Sequence, residues 1–213
     1  MNILQGNTAV SGGELYGYKA TFTGNTVQNN NANIGGGIYA SQCTVRGNTV
    51  MNNTAQSDGG GLYADQGTVT YNSLSYNTAP SWGHGAGAYL SRVSDFSYNN
   101  VTSSTASSGI VGGVAVTGQV GLHYNNLYSN LPYDAEVVSS GSVSGTLNYW
   151  GPSTCTAIAN QIYDRRFAVC KFCNMAGHER CPVWAGHRRR DAHAWAKSPT
   201  LQVCENWWKR QTA

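Results

Sequence analysis

The sequence predicts an all-β protein, a single-stranded right-handed parallel β-helix (solenoid) of about seven coils. The first observation is a repeat. Residues 35–50, GGGIYASQCTVRGNTV, align with residues 59–74, GGGLYADQGTVTYNSL, at an offset of 24 residues. The second is a column of asparagines at steps of 23 to 27 residues. The third is the alternation of apolar and polar residues in short segments, which is typical of half-buried strands.

The apolar segments occur twice in each repeat. One follows the glycines, as in Ile38-Tyr39 and Leu62-Tyr63, and the other surrounds the asparagine, as in Val45 and Val50. Because a pair of strands this short cannot bury its own apolar face, neighbouring coils must stack on it, about 4.8 Å apart. A leucine-rich repeat has a similar period, but it needs a helix or equivalent convex segment where this chain has glycines and polar turns. The β-helix is therefore the better prediction.

The asparagines are predicted to form a structural ladder. Their positions are Asn2, Asn25, Asn48, Asn72, Asn99, Asn125 and Asn148. A second column lies five residues further on, at Asn7, Asn30, Asn53, Asn77, Ser104 and Asn130. Stacked amides hydrogen-bond along such a column and satisfy the backbone at a bend. Each column therefore predicts one corner of the coil.

Charge divides the chain into two parts. Residues 1–163 contain three basic and six acidic residues, a net charge of −3, whereas residues 164–213 contain ten basic and four acidic residues, a net charge of +6. The overall charge of +3 describes neither part. The repeat is confined to the first part, which we predict to be the β-helix with its closing coil and cap.

Residues 164–213 form a basic tail rich in cysteine and tryptophan, without the repeat. The leading interpretation is a disordered or out-of-frame segment, and the alternative is a genuine basic appendage. Its sharpest motif is C-x2-C-x4-H-x2-C, formed by Cys170, Cys173, His178 and Cys181. Three thiolates and an imidazole suit zinc, but the last interval is shorter than in a zinc knuckle, so incidental cysteines are preferred. The arginine run 188–190 beside tryptophans is treated as a solvated tail, with no specific nucleic acid expected.

The repeat also carries a family resemblance. The motif GG[AG][ILV] followed by F-x-x-N, present as GGGI, GGGL, FTGN and FSYN, resembles the repeats of polymorphic outer-membrane proteins. It is similar to the wider set of right-handed β-helix surface proteins, which share their architecture with pectate lyases. The resemblance covers about residues 1–163 and implies a secreted or surface-exposed rod. Because that architecture serves many activities, it says little about chemistry.

Ionisable side chains come close together at one place on the predicted rod. Asp58 and His84 hold the same position (station) in their repeats, just before the glycine turns. They are therefore expected on adjacent coils, with Trp82 beside them. An indole, a carboxylate and an imidazole suit a sugar-binding spot, and the alternative is a solvated turn. Asp65 and Arg92 also fall one coil apart and are expected to form a surface pair of little energetic value.

Two functions follow as expectations. The first is a non-catalytic surface or secreted rod, adhesin-like or carbohydrate-binding, because charged residues are few and scattered. The alternative is a polysaccharide lyase or glycoside hydrolase domain or its remnant, for which the resemblance implies acidic residues and calcium. No catalytic residue is assigned and no cofactor is expected, with calcium on the rod and zinc on the tail as the open alternatives.

The setting of the rod is likewise an expectation. Its composition favours an extracellular or cell-surface location, although no signal peptide precedes the repeat, and no apolar run is long enough for a transmembrane helix. Expected partners are a polysaccharide or a host or neighbouring cell surface. The open N-terminal coil leaves strand edges unpaired, so either further upstream β-helix or self-association is expected there.

Overall fold

The computed structural model confirms an all-β parallel solenoid. It describes residues 2–79, 83–106, 111–138, 143–151, 161–164, 171–174 and 183–184. One of its three sheets has six strands, one from each coil, so the rod has about six turns, close to the predicted seven. No helix occurs among these residues, and so none that would be long enough and apolar enough to cross a membrane.

The strands are numbered along the chain and fall into three sheets. The six-stranded sheet contains β1 (Ile3–Gln5), β5 (Thr26–Gln28), β8 (Thr49–Met51), β11 (Ser73–Ser75), β15 (Asn100–Thr102) and β19 (Asn126–Tyr128). The five-stranded sheet contains β2 (Thr8–Ser11), β6 (Asn31–Ile34), β9 (Thr54–Ala55), β12 (Thr78–Ala79) and β16 (Thr105–Ala106). The largest sheet contains β3 (Leu15–Tyr18), β4 (Thr21–Thr23), β7 (Ile38–Arg46), β10 (Leu62–Thr70), β13 (Ala88–Ser91), β14 (Asp95–Ser97), β17 (Val114–Thr117), β18 (Val120–His123), β20 (Ala135–Val137), β21 (Val143–Asn148), β22 (Ile162–Asp164), β23 (Lys171–Asn174) and β24 (Val183–Trp184).

The sequence repeat matches the register of strand pairing in the sheets. Tyr39 pairs with Tyr63 across β7 and β10, and Tyr63 pairs with Tyr89 across β10 and β13. In the six-stranded sheet Val50 pairs with Leu74, whose next partner is Val101. Equivalent residues therefore lie directly above one another along the rod, as stacking of identical units requires.

Two polar columns form corners of every coil. At Asn72, the backbone N–H and the side-chain Nδ2 both donate to Oδ1 of Asn99, at 2.9 and 3.0 Å, and Nδ2 also donates to the carbonyl of Val45. Each asparagine of this first column from Asn25 onward follows a residue with φ between 56 and 66°. These residues are Gly24, Gly47, Tyr71, Tyr98, Tyr124 and Leu147. The left-handed residue turns the chain, and the asparagine then satisfies the backbone groups that the turn leaves free.

The interior of the rod is filled by aliphatic columns, together with the aromatic side chains of Phe22, Phe96 and Trp150. Val27, Val50 and Leu74 are at most 1% exposed, and Phe22 packs against the same cluster. Trp150, in the last coil, is fully buried in this cluster. Most of the buried apolar residues that the structure describes form this one cluster, and Ala79, Ala86 and Ala106 form a second, small one.

The C-terminal part continues the largest sheet. Strand β22 pairs in parallel with β20, and β23 pairs in parallel with β21 and antiparallel with β24. Both β23 and β24 come from the segment predicted as tail. Most of that segment, with Cys170, His178 and Cys181, lies outside the described residues, and of Cys173 only the strand position in β23 is known.

Candidate ligand-binding face

A column of four tyrosines stands on the outer face of the largest sheet. Successive rings of Tyr16, Tyr39, Tyr63 and Tyr89 have centroids 5.0, 5.0 and 5.1 Å apart, with interplanar angles of 10° or less. Each comes from the same outward station of β3, β7, β10 or β13. The alternation of the strand places these rings outside because their neighbours, such as Ile38 and Ala40, point into the core. We call these four residues the tyrosine column.

The column is interrupted after Tyr89. The next two stations hold Ala115 and Glu136, and the following one holds Tyr163. The side chain of Tyr89 hydrogen-bonds to Thr117, on the coil of Ala115. Ala115 and Glu136 are both fully buried. The small side chain of Ala115 therefore makes room on an outward face for groups that reach across from the neighbouring coils.

His84 spans this gap. Its Nδ1 lies 2.9 Å from Oε2 of Glu136, although the two residues are 52 positions apart, about two coils. The backbone N–H of His84 donates to Oδ1 of Asp58 at 2.8 Å. The imidazole is thus held at its ring by a buried carboxylate and at its backbone by a half-buried one. Such a carboxylate-oriented histidine is able to donate or accept a proton at its other nitrogen.

The tyrosine hydroxyls are poor acids in this setting. Burial, followed by the neighbouring phenols of Tyr89 and Tyr39, raises the pKa of Tyr63 to about 12. Burial also raises the pKa of Tyr39 and of Tyr89, with the charges of Asp65 and Asp58 adding to the effect. The phenols of Tyr39, Tyr63 and Tyr89 therefore remain neutral hydrogen-bond donors and acceptors throughout the physiological range.

Asp65 and Arg92 form the predicted surface pair beside the column. Nη2 of Arg92 lies 2.7 and 2.9 Å from Oδ1 and Oδ2 of Asp65, and Nε lies 3.2 Å from Oδ1. The two arms of the guanidinium thus bind one carboxylate in a fork. Asp65 lies two residues after Tyr63 on the outward side of β10, so this pair borders the tyrosine column.

The structure brings Asp58 and His84 together on adjacent coils, where repeat arithmetic placed them. Trp82, the third residue predicted for this spot, lies outside the described residues. Sequence reasoning missed Glu136. Glu136 occupies the position that the tyrosines hold on the earlier coils. The repeat is shorter between Ala115 and Glu136, so counting residues along the sequence does not align Glu136 with the tyrosines.

Within the described part of the chain, no group of three or more His, Cys, Asp or Glu side chains is arranged to hold a metal ion. The proposed zinc ligands of the tail fall mainly outside that part. Calcium binding on the rod and zinc binding on the tail therefore stay hypotheses.

A second, separate tyrosine column lies at a corner of the rod. Tyr71, Tyr98 and Tyr124 stack at 4.8 and 5.1 Å, and the guanidinium carbon of Arg46 lies 4.2 Å from the ring centroid of Tyr71. These three residues belong to the left-handed station that precedes each asparagine. They provide a natural comparison for the first column, because they have the same chemistry in a different place.

The fold and this face define the protein as a parallel β-solenoid with exposed aromatic columns. Comparisons of the chain with known protein families, with curated proteins and with solved structures find no match.

Proposed function

We propose that this protein is a non-catalytic surface or secreted rod, adhesin-like in character, whose tyrosine column binds a polysaccharide. The observation that supports the proposal is the row of exposed and half-exposed phenols on four consecutive strands, with Tyr16 65% exposed. Exposed aromatic residues arranged along one line are typical of recognition surfaces, because each offers an apolar body and a polar tip.

The arrangement favours an extended ligand with its own repeat. The rings follow the coil spacing at about 5 Å, which is close to the length of one sugar in an extended glycan. Their faces are largely occupied by stacking on each other, so a ligand meets ring edges and hydroxyl groups. A glycan parallel to the rod would therefore form one similar set of contacts per coil, and affinity would grow with chain length.

The groups beside the column suit hydroxyl-rich ligands. Asp58 and Asp65 provide acceptors on the same face, while the neutral phenols provide both donors and acceptors. The backbone that carries them is a rigid sheet, so little ordering free energy is lost on binding. An extracellular or cell-surface location is part of this proposal, since long glycans occur there.

The proposal is tested with the full chain and a panel of neutral and acidic polysaccharides, with and without calcium, by scoring retention in affinity gels and chain cleavage. We expect retention without cleavage. The double variant Tyr39→Ala/Tyr63→Ala should lose at least about tenfold in affinity, or about 1.4 kcal/mol. Tyr98→Ala/Tyr124→Ala, from the second column, is the matched control and should bind like the wild type. Equal loss in both variants, or no retention of the wild type, would contradict the proposal.

A second candidate function is catalytic, and the buried Glu136 carboxylate on His84 favours it. A carboxylate that fixes one imidazole nitrogen leaves the other to act as a general base or acid on a sugar bound nearby. Cleavage of any polysaccharide in the same panel would support this function, and Glu136→Gln should then lower the rate while leaving retention unchanged. Retention with no cleavage leaves the binding rod as the better account.

A further inference from the structure

A groove of about 710 Å³ opens on the same sheet, next to the Asp65–Arg92 pair. Its lining includes Arg92, Ser94, Gln119 and Ser144, with Val120 and Val143. Its volume lies within the range of small-molecule sites.

Two glycines line the groove at positions where a side chain would collide with its walls. A Cβ at Gly121 would lie 2.8 Å from the carbonyl oxygen of Ser94, and one at Gly118 would lie 2.8 Å from Cγ of Arg92. Equivalent outward stations on neighbouring coils hold Asp95 and Ser144 instead of Gly121. The depression is therefore local to this part of the rod, where the Arg92 side chain lies along its edge.

The lining combines apolar and polar surfaces as a sugar does. Val120 and Val143 form the floor of the groove and are nearly buried, at 1% and 8% exposure, so the apolar contact that they offer to the C–H groups of a pyranose ring is small. Ser94, which donates its hydroxyl to the carbonyl of Gly67 at 2.8 Å, still has an acceptor lone pair. Gln119 and Ser144 are exposed on the rim and provide further donors and acceptors.

The charge at the groove favours a neutral ligand. The guanidinium of Arg92 is already bound by both oxygens of Asp65, so the pair contributes no net charge. An acidic sugar would have to compete with Asp65 for Arg92, whereas a hydroxyl pair can use Nη1 of Arg92 without breaking the ion pair.

We propose that this groove is a subsite for one neutral sugar residue of a glycan whose adjoining part lies on the tyrosine column. The proposal rests on the function proposed above and extends it by naming the class of ligand. The connection between the two places is the Asp65–Arg92 pair: Asp65 borders Tyr63, and Arg92 borders the groove.

The test measures binding of the full chain to three soluble neutral glycans, xyloglucan, galactomannan and laminarin, and to polygalacturonate as the acidic comparison. The groove is filled with Ser144→Trp, and its polar walls are altered separately with Arg92→Gln and Gln119→Ala. Arg46→Gln is the matched control, because Arg46 is an exposed arginine on the same sheet and lies against Tyr71 instead of the groove. Thermal melting of each variant verifies that it folds.

We expect the wild type to bind at least one neutral glycan more tightly than polygalacturonate. Ser144→Trp should weaken that binding about tenfold or more, Arg92→Gln and Gln119→Ala severalfold, and Arg46→Gln not at all. If the groove variants bind like the wild type while Tyr39→Ala/Tyr63→Ala does not, the groove proposal is wrong and the tyrosine column stands. Preference for polygalacturonate would also overturn the groove proposal. Failure of the wild type to bind any glycan would overturn both.

Discussion

Asp134 ends the second polar column of the rod. Both the backbone N–H and Nδ2 of Asn130 donate to its Oδ1, at 2.9 and 2.8 Å, and Asp134 is 1% exposed. Burial raises the pKa of this carboxyl to about 6, against the opposing effect of the hydrogen bonds from Asn130. Asp134 accepts hydrogen bonds as the asparagines of the column do. Because it is the last residue of the column, it needs no donor toward a following coil.

The raised pKa of Asp134 has a direct consequence for stability. Between about pH 4 and pH 6 the folded chain retains a proton that the unfolded chain has released, so this group's contribution to the free energy of unfolding falls as pH rises. A shift from 3.8 to about 6 corresponds to about 2–3 kcal/mol. Asp134→Asn keeps the Oδ1 acceptor and removes the buried charge.

We therefore expect Asp134→Asn to be more stable than the wild type at pH 8 and to lose most of that advantage at pH 4. Urea unfolding at several pH values measures this difference. Asp95→Asn, which removes a half-buried carboxylate of β14 outside the polar column, is the matched control. Parallel pH profiles for the wild type and Asp134→Asn would contradict the assignment.

Tyr76 is an example of backbone strain at a single residue. Its φ is 54°, a region that bulky side chains rarely adopt, and it is 59% exposed. The equivalent station one coil earlier holds Asn52 at φ 55°, and Asn29 occupies the station before that at φ 57°. Asparagine tolerates this conformation better than tyrosine does.

Tyr76→Asn is expected to raise the free energy of unfolding by about 0.5–1 kcal/mol because it relieves this strain. Chemical denaturation provides the measurement. Tyr16→Asn, an exposed tyrosine in an ordinary strand, should bring no gain. A loss of stability in Tyr76→Asn would show that the tyrosine side chain stabilises the fold by more than its left-handed backbone conformation destabilises it.

At the scale of the element, each corner is a turn completed by the next coil. The amide of Asn99 accepts from the N–H and Nδ2 of Asn72, and its own Nδ2 donates to the carbonyl of Val69 and to Oδ1 of Asn125. All of these bonds are between coils. A buried corner therefore depends on its neighbours on both sides.

Asn99→Ala is expected to destabilise the protein by about 2–4 kcal/mol, because it leaves buried donors and acceptors without partners. Thermal or denaturant unfolding measures the loss. Asn2→Ala, at the exposed end of the same column, removes one 3.2 Å contact to Asn25 and should cost well under 1 kcal/mol. Similar costs at the two positions would show that the ladder is not what holds the corners.

At the scale of the whole molecule, the N-terminal end of the rod is an open surface. Strands β1 and β2 lie at the edges of their sheets, and Ile3 and Val10 are 64% and 74% exposed. Apolar side chains beside unpaired backbone groups favour the addition of another strand. A strand from a second copy of the chain fits this end.

Self-association through this end is the expected behaviour of the isolated chain. Light scattering should give a mass above the monomer at high concentration, and Val10→Lys should lower it, because a charge at a strand edge opposes pairing. Gln56→Lys adds the same charge at an exposed site in the middle of the rod and should have no effect. A monomeric wild type at high concentration would contradict the expectation.

Much of the fold was predictable because each coil of a solenoid repeats the same sequence pattern. The offset that aligned Ile38 with Leu62 and Tyr39 with Tyr63 is the observed register of β7 and β10. The candidate site was predictable only where the spacing held, as for Asp58 and His84. Glu136 was not found, because the repeat length changes between β17 and β20 and a count of residues then loses the register.

The sequence alone determined the all-β parallel solenoid, since period-two alternation and regularly spaced asparagines admit few other stacked structures. Only the tertiary structure decided which outward groups meet. His84 reaches Glu136 across two coils because Ala115 leaves space between them. The groove beside Arg92 is lined by Gly118 and Gly121, where any side chain would collide with Arg92 or Ser94. Such contacts depend on side-chain volume between coils, which residue spacing does not encode.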